Sequence, residues 1–527
     1  MTPSPLLQPD RNCWRIEPAA RATVVVDAED YFHAARVAML KAKRQILLVG
    51  WDFDARIRFK DDRADDDGPA EVGAFISWLV ARTPGLQVYI LRWDTGAIRS
   101  LLHATTIARI VRWAFDDRIH LRLDGRHPFG GSHHQKVLVI DDVLAFCGGI
   151  DMTVDRWDTR AHLDDDPRRV EPDGTPYKPW HDATTMLEGP VAAALGEMCR
   201  ARWRGSGGVI DAPDGGAGDC WPAHVEPDFA RVAVGIARTM PEMNDAPGIH
   251  EIETLYVDLI ARARRWIYAE SQYFASRRVA EAIAKRLAEH DGPEIVIVHP
   301  TTAQGWLEPI AMDSARARLV EALRLIDAHG RLRLYHPYTA GGAPIYVHAK
   351  VTVVDDDVLR VGSSNFNNRS LRLDTECDVV IDAAQAGNAD TTRAIAGIRN
   401  ALLAEHLGVD CATVEAAIAE PGSLIATIER LRGAGRSLRP YVLEDVDGVR
   451  AWLADNEILD PEGPGEMFEA LSARTGLLSR IDRHRRLRRS DGRVDPVFVG
   501  AAAAGAAVIG VGAVAWWRGR SRGSGST

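Results

Sequence analysis

The segment His134-Gln-Lys136-Val-Leu-Val-Ile-Asp141 returns as His348-Ala-Lys350-Val-Thr-Val-Val-Asp355, so the pattern His-x-Lys-x4-Asp occurs twice, with every matching position 214 residues apart. Lysine is scarce in this chain, with seven in 527 residues. Chance alone would supply roughly 0.03 copies of the pattern from this composition, so two copies in register constrain the fold strongly. Each copy runs into an acidic turn and returns as a second apolar segment, Val143–Ile150 and Val358–Ser364, which predicts two β-hairpins. Asp151 and Asn365 follow at the same offset, seventeen residues after their histidines. Upstream, a helical stretch runs into a strand in both halves, around Ala42–Val49 and Ala263–Glu270. The expectation is an α/β chain built from one duplicated unit.

A chain of this length is expected to form two or three folding units. The first lobe is placed at residues 21–205, after an irregular lead at 1–20, with a strand at Ala22–Val26 and a helix near Glu29–Arg44. Residues 206–247, rich in Gly, Pro and Asp, read as a linker. The second lobe occupies 248–382 and opens with a helix at Ile252–Arg265. Residues 383–495 have a mostly helical pattern that ends in a basic stretch. Asp61–Asp67 reads as a solvated acidic loop, and Asp164–Asp166 as the same or as a rim near the first hairpin.

The run 497–517 is uncharged and made largely of Ala, Gly and Val, and at about 1.5 Å per residue it reaches across a hydrocarbon core of about 30 Å. It reads as one transmembrane helix. Arg480, Arg483, Arg485, Arg486, Arg488, Arg489 and Arg493 precede it and Arg518, Arg520 and Arg522 follow, so the charge bias puts the large amino-terminal part on the cytoplasmic side. The expected location is a membrane, with a single-pass C-terminal anchor. A formal net charge of -10 makes nucleic acid an unlikely general partner. The six cysteines have no finger-like spacing and read as reduced thiols.

Residues two apart on a strand share a face, so His134 projects with Lys136 and His348 with Lys350. If the two hairpins face each other, two imidazoles and two ammonium groups surround one position, a set suited to a phosphodiester. One imidazole serves as nucleophile, and the other first gives a proton to the departing alcohol and then takes one from the acceptor. The lysines supply the positive charge that a metal would otherwise bring to the phosphoryl oxygens, so neither metal nor cofactor is expected. Asp141 and Asp355 complete the catalytic motifs, yet they fall at the strand ends and are expected to hold the turns through backbone hydrogen bonds. Asp151 and Asn365 are candidates for contacting substrate oxygens or orienting lysine, and Glu376 for fixing an imidazole tautomer.

These motifs resemble the phospholipase D superfamily, whose signature is two copies of His-x-Lys-x4-Asp. The resemblance covers about Val24 to Asp382 and includes Gly148–Thr159, Pro179-Trp-His-Asp182 and Ile267–Phe274, which look like phospholipase D proper. It implies two α/β lobes related by pseudo-twofold symmetry with the active site between them, a phosphohistidine intermediate, and a phospholipid substrate hydrolysed to phosphatidic acid. By the same likeness His134 is the nucleophile and His348 the acid and base. A cardiolipin-synthase-like phosphatidyl transferase is the alternative, and a nuclease of the family stands third.

Overall fold

The computed structural model describes residues 4–442, apart from 94–111, 114, 129, 215–217, 244–245, 303–307 and 421, and gives the backbone alone for 308–314. Its first strands and helices are β1 (Arg15–Val26), α1 (Ala28–Leu40), β2 (Gln45–Gly50), α2 (Val72–Arg82), β3 (Gln87–Trp93), β4 (Ile119–Asp124), β5 (Val137–Ile140), β6 (Leu144–Gly148), β7 (Trp180–His181), β8 (Ala183–Glu188) and α3 (Pro190–Gly205). There follow β9 (Phe229–Met240), β10 (Ile249–His250), α4 (Glu251–Arg262), β11 (Trp266–Glu270), α5 (Arg277–Leu287), β12 (Glu294–Val298), α6 (Glu308–Ile326), β13 (Leu332–Tyr338) and β14 (Tyr346–Val347). The chain continues through β15 (Val351–Val354), β16 (Val358–Gly362), β17 (Glu376–Asp382), α7 (Thr392–Leu407), α8 (Cys411–Ala419), α9 (Leu424–Leu431) and β18 (Ser437–Pro440). The fold is mixed α/β.

One sixteen-stranded sheet takes in every strand but β7 and β14, which pair with each other, in the order β18-β13-β12-β11-β15-β16-β17-β9-β1-β8-β6-β5-β2-β3-β4, with β10 on β9. The two long strands β1 and β9 pair antiparallel at its centre. Outward from β1 come β8, β6, β5, β2, β3 and β4; outward from β9 come β17, β16, β15, β11, β12 and β13. The strand direction matches at each step, since β2, β3 and β4 are parallel, as are β11, β12 and β13, while β5 and β15 run antiparallel to β2 and β11. The inner strands are wholly buried and made mostly of Val, Leu and Ile, as in β2 (QILLVG), β5 (VLVI) and β15 (VTVV). Such continuous apolar runs need cover on both faces.

Helices provide that cover. On one face a single cluster takes in Val137, Val139, Val351 and Val353 from the motif strands with Leu195 and Met198 of α3 and Leu402 and Leu403 of α7. On the other, α1 and α2 cover one half of the sheet through Phe32, Phe75 and Ile76, and α4 and α5 cover the other through Leu255, Leu259 and Ile283. The sheet is thus the middle of three layers.

Three expectations are corrected. Residues 206–247 are not simply a linker, because Phe229–Met240 forms β9 at the middle of the sheet. The lead at 1–20 is not all irregular, because β1 begins at Arg15 and Leu6, Leu7 and Cys13 are buried against the α4 side. The acidic loop is partly built in, since Asp66 clamps the fully buried Arg36 guanidinium, with Nε 2.8 Å from Oδ2. Among the described residues no helix is long and apolar enough to cross a membrane. The segment 497–517, its basic flank and the anchor reading that depends on them lie outside the described residues.

Candidate active site

The two His-x-Lys segments lie just ahead of β5 and β15 rather than inside them, and each is fastened to the opposite half of the sheet. His134 N–H donates to Thr375 O at 2.9 Å, and His348 N–H donates to His181 O at 2.8 Å. The residue after each acceptor is an acid. Glu376 therefore lies against His134, with both carboxyl oxygens 3.0 Å from Nδ1, and Asp182 lies against His348, with Oδ2 2.7 Å from Nδ1. Both acids stand at equivalent places, at the start of β17 and just before β8. A proton on Nδ1 leaves each Nε2 bare, the tautomer a nucleophile or base requires. Glu376, the candidate for fixing a tautomer, is thus in contact with His134. Asp182 was overlooked as a site residue, although Pro179-Trp-His-Asp182 stood out as a segment; the equivalence of β8 and β17 is the signal that identifies it.

The imidazole rings of His134 and His348 face each other with centroids 6.5 Å apart. Lys136 Nζ donates to His134 O at 2.9 Å and lies 3.2 Å from Asp151 Oδ2, and Lys350 Nζ donates to His348 O. Each lysine thus folds back onto its own histidine. Asp151 also accepts from Trp51 N–H at 3.1 Å. Asn365 reaches Lys350 only through Gln272, whose Oε1 is 3.4 Å from Lys350 Nζ and whose N–H donates to Asn365 Oδ1 at 3.2 Å. The two lysines therefore differ: one faces a carboxylate and the other an amide. Trp180 packs on His348 at 5.2 Å and stacks on Tyr346, and Trp51 meets the edge of His134 at 6.4 Å.

Asp141 and Asp355 stand apart from this group. Asp141 accepts from the backbone N–H groups of Lys43, Arg44 and Gln45, and Asp355 from those of Arg264, Arg265 and Trp266. Both adopt positive φ, 51° and 54°, which Asp tolerates at a tight turn. Seven residues of nearly extended chain, about 3.3 Å each, separate them from their histidines. They tie the hairpin ends to the starts of β2 and β11, the turn-holding role expected of them, and of the catalytic set only the histidines and lysines stay at the reacting centre.

Burial sets the electrostatics. It pulls both imidazoles well below their usual value, with Lys136 and Lys350 adding repulsion. It pushes Glu376 up to about 8 against the pull of Lys136, and Asp182 up to about 6 against the pull of Lys350. Lys350 is brought down to about 7 by burial, against the attraction of Asp182. The site thus holds neutral imidazoles and labile protons where an anion has yet to bring its charge. His134 is the more open of the pair, its side chain 15% exposed against 6% for His348.

Two imidazoles with backing carboxyls and two lysines on a mixed α/β sheet form a set suited to handling a phosphodiester. The family model described as "Cardiolipin synthase, PLD-like domain" matches residues 256–393, and the one described as "Phospholipase D" matches 336–451. Phospholipase D alpha 1 of Nicotiana tabacum is 24% identical over 522 residues, covering 72% of this chain and 64% of the relative. Phospholipase D A of Dictyostelium discoideum is 24% identical over 464 residues, covering 73% and 35%. The chain thus spans less than two thirds of the length of these relatives. The crystal structure of phosphatidylserine synthase from Haemophilus influenzae Rd KW20 overlays with a TM-score of 0.48 and 15% identity, covering 71% of this chain and 84% of that one. The chain is thus similar to phospholipase D-type proteins, with PLD-like family models matching its second half and phospholipase D relatives matching most of its length.

Proposed function

We propose that this chain hydrolyses a glycerophospholipid to phosphatidic acid, or transfers its phosphatidyl group to an alcohol, through a phosphohistidine. The observation that carries this reading is the convergence of His134 and His348, rings 6.5 Å apart, each backed by an acid from the other half of the sheet. His134 Nε2 attacks phosphorus; a P–N bond forms as the P–O bond to the headgroup breaks. The electron pair leaves on the alcohol oxygen, which takes a proton from His348 Nε2. A bound phosphodiester brings the negative charge that lifts His348 from its depressed value and makes it a proton donor. Water then passes a proton to His348 while its oxygen displaces His134, and phosphatidic acid departs. Lys136 and Lys350 face the non-bridging oxygens throughout.

The matching strand order on either side of β1 and β9 supports reading the chain as a duplicated pair of lobes related by a pseudo-twofold axis. The run 497–517 and its arginines support a C-terminal membrane anchor with the catalytic part on the cytoplasmic side. The family model named for cardiolipin synthase favours a second reading, phosphatidyl transfer to a lipid alcohol. Liposomes of phosphatidylcholine or phosphatidylglycerol, with and without ethanol, separate the two. Phosphatidic acid with free headgroup, and phosphatidylethanol when ethanol is present, are expected. Cardiolipin with glycerol from phosphatidylglycerol favours transfer, and cleavage of DNA with no lipid product overturns both.

A further inference from the structure

Behind Asp182, away from the reacting histidines, four side chains converge in the interior: Asp27 at the start of α1, His162 in the loop after β6, His181 in β7 and Glu405 in α7. One donor atom from each lies within 4.8 Å of all the others, and all four residues are buried. His162 Nε2 is 3.5 Å from Asp27 Oδ2 and 3.1 Å from Glu405 Oε1, while His181 Nδ1 is 2.9 Å from Glu405 Oε1 and 3.3 Å from Asp27 Oδ1. A tetrahedral ion with bonds of about 2.0–2.2 Å spaces its donors about 3.3–3.6 Å apart, and the separations along Asp27 Oδ2, His162 Nε2, Glu405 Oε1 and His181 Nδ1 run from 2.9 to 3.5 Å, near that spacing.

The far side of every donor is already held. His162 Nδ1 bonds Asp158 Oδ2 at 3.0 Å, and His181 Nε2 bonds Glu270 Oε2 at 2.8 Å. Asp27 Oδ1 accepts from Asp182 N–H at 3.1 Å, and Glu405 Oε2 from Arg160 Nε at 2.7 Å. Carboxylate–histidine pairs of this kind turn the remaining ring nitrogen toward a metal. Two of the inward atoms, Asp27 Oδ2 and His181 Nδ1, are buried and have no hydrogen-bond partner of acceptable geometry. Buried polar atoms of that kind require an explanation.

We propose that Asp27, His162, His181 and Glu405 form a closed structural site for a divalent transition metal, with zinc the best match to two nitrogens and two oxygens in a tetrahedron. The site is separate from the phosphorus chemistry. Its bound ion fixes Asp27, whose backbone and side chain grip Asp182 on both sides: Asp27 N–H donates to Asp182 O at 2.8 Å, and Asp182 N–H donates to Asp27 Oδ1. The ion thereby helps to position the acid behind His348. The competing structure is a purely protonic network, in which burial opposes protonation but the carboxylates, Asp27 first, lift His162 to about 9.

Metal analysis of the full chain, purified without chelator, is expected to give about one zinc equivalent. Cobalt added to chelator-stripped protein should give the intense visible absorption of a tetrahedral site. Asp27→Asn should lower the bound metal below about 0.1 equivalent, while Asp61→Asn in the acidic loop leaves it unchanged. If Asp27→Asn fails to accumulate, the wild-type measurements decide alone. A wild-type protein that arrives without metal, and whose melting temperature and visible spectrum do not change on adding zinc or cobalt, overturns the proposal.

Discussion

Asp182 and Glu376 act on the site through the histidines they hold, so their removal should affect turnover and pH dependence more than folding. Asp182→Asn preserves the shape of the side chain but lets an amide face His348 Nδ1, which favours the wrong tautomer. It is expected to lower kcat by about 10²–10⁴ with KM little changed, while Asp182→Glu recovers part of the loss. A melting temperature that collapses without any kcat effect per folded molecule would make Asp182 merely structural. The titrations predict stability as well. Glu376 ionises at about 8 in the folded chain against 4.5 ordinarily, so the folded chain keeps a proton that the unfolded chain has lost, and stability falls as pH rises between those values. Lys350 behaves oppositely, because it releases its proton at about 7 when folded but at 10.5 when unfolded, so its contribution grows as pH rises across that span. Thermal melts should therefore show Glu376→Gln gaining on wild type from pH 5 toward pH 8, and Lys350→Met losing ground to it from pH 8 toward pH 10. Parallel curves for wild type and variants would refute both assignments. The histidines and lysines were legible in the sequence because their spacing is local. Asp182 was not, since it lies 166 residues from His348 and only strand pairing brings the two together.

At the scale of elements, the motif aspartates test how far a signature residue can be from the chemistry. Each accepts three backbone N–H groups at the entry to a buried strand, so Asp141→Ala or Asp355→Ala leaves those donors bare. Each substitution should cost about 1–3 kcal/mol in chemical denaturation while turnover per folded molecule stays within a few-fold. A loss of several orders of magnitude in kcat with unchanged stability would place them in the reaction instead. The motif strands were readable because a run such as VTVV is β-branched and buried throughout. β9 was not readable. Its sequence, FARVAVGIARTM, follows a stretch rich in Gly, Pro and Asp and carries two arginines, and its identity as a strand comes from pairing with β1 on one side and β17 on the other. Local turn chemistry suggested a linker where long-range hydrogen bonding makes the centre of the sheet.

Across the whole molecule the two halves exchange their acids: Glu376 from one serves His134 of the other, and Asp182 from the first serves His348 of the second. The reacting unit therefore exists only when both halves share one sheet. On the proposed function, what would deliver it to lipid is a separate matter. All described residues fall in the compact unit Met1–Met467, while the apolar run 497–517 belongs to Phe468–Thr527. If that run is the anchor, ending the chain after Met467 should leave hydrolysis of a short-chain, monomeric phosphatidylcholine within a few-fold of the full chain. The same truncation should abolish sedimentation with vesicles, because about 21 residues at 1.5 Å each are what reach across a core of about 30 Å. Replacing the seven arginines between 480 and 493 with glutamine in the full chain should weaken binding to anionic vesicles more than to neutral ones, by about 1 kcal/mol per residue near the surface. Equal sedimentation of the full and shortened chains, in low and in high salt, would show that the catalytic unit itself carries the lipid-binding surface and that 497–517 is no anchor.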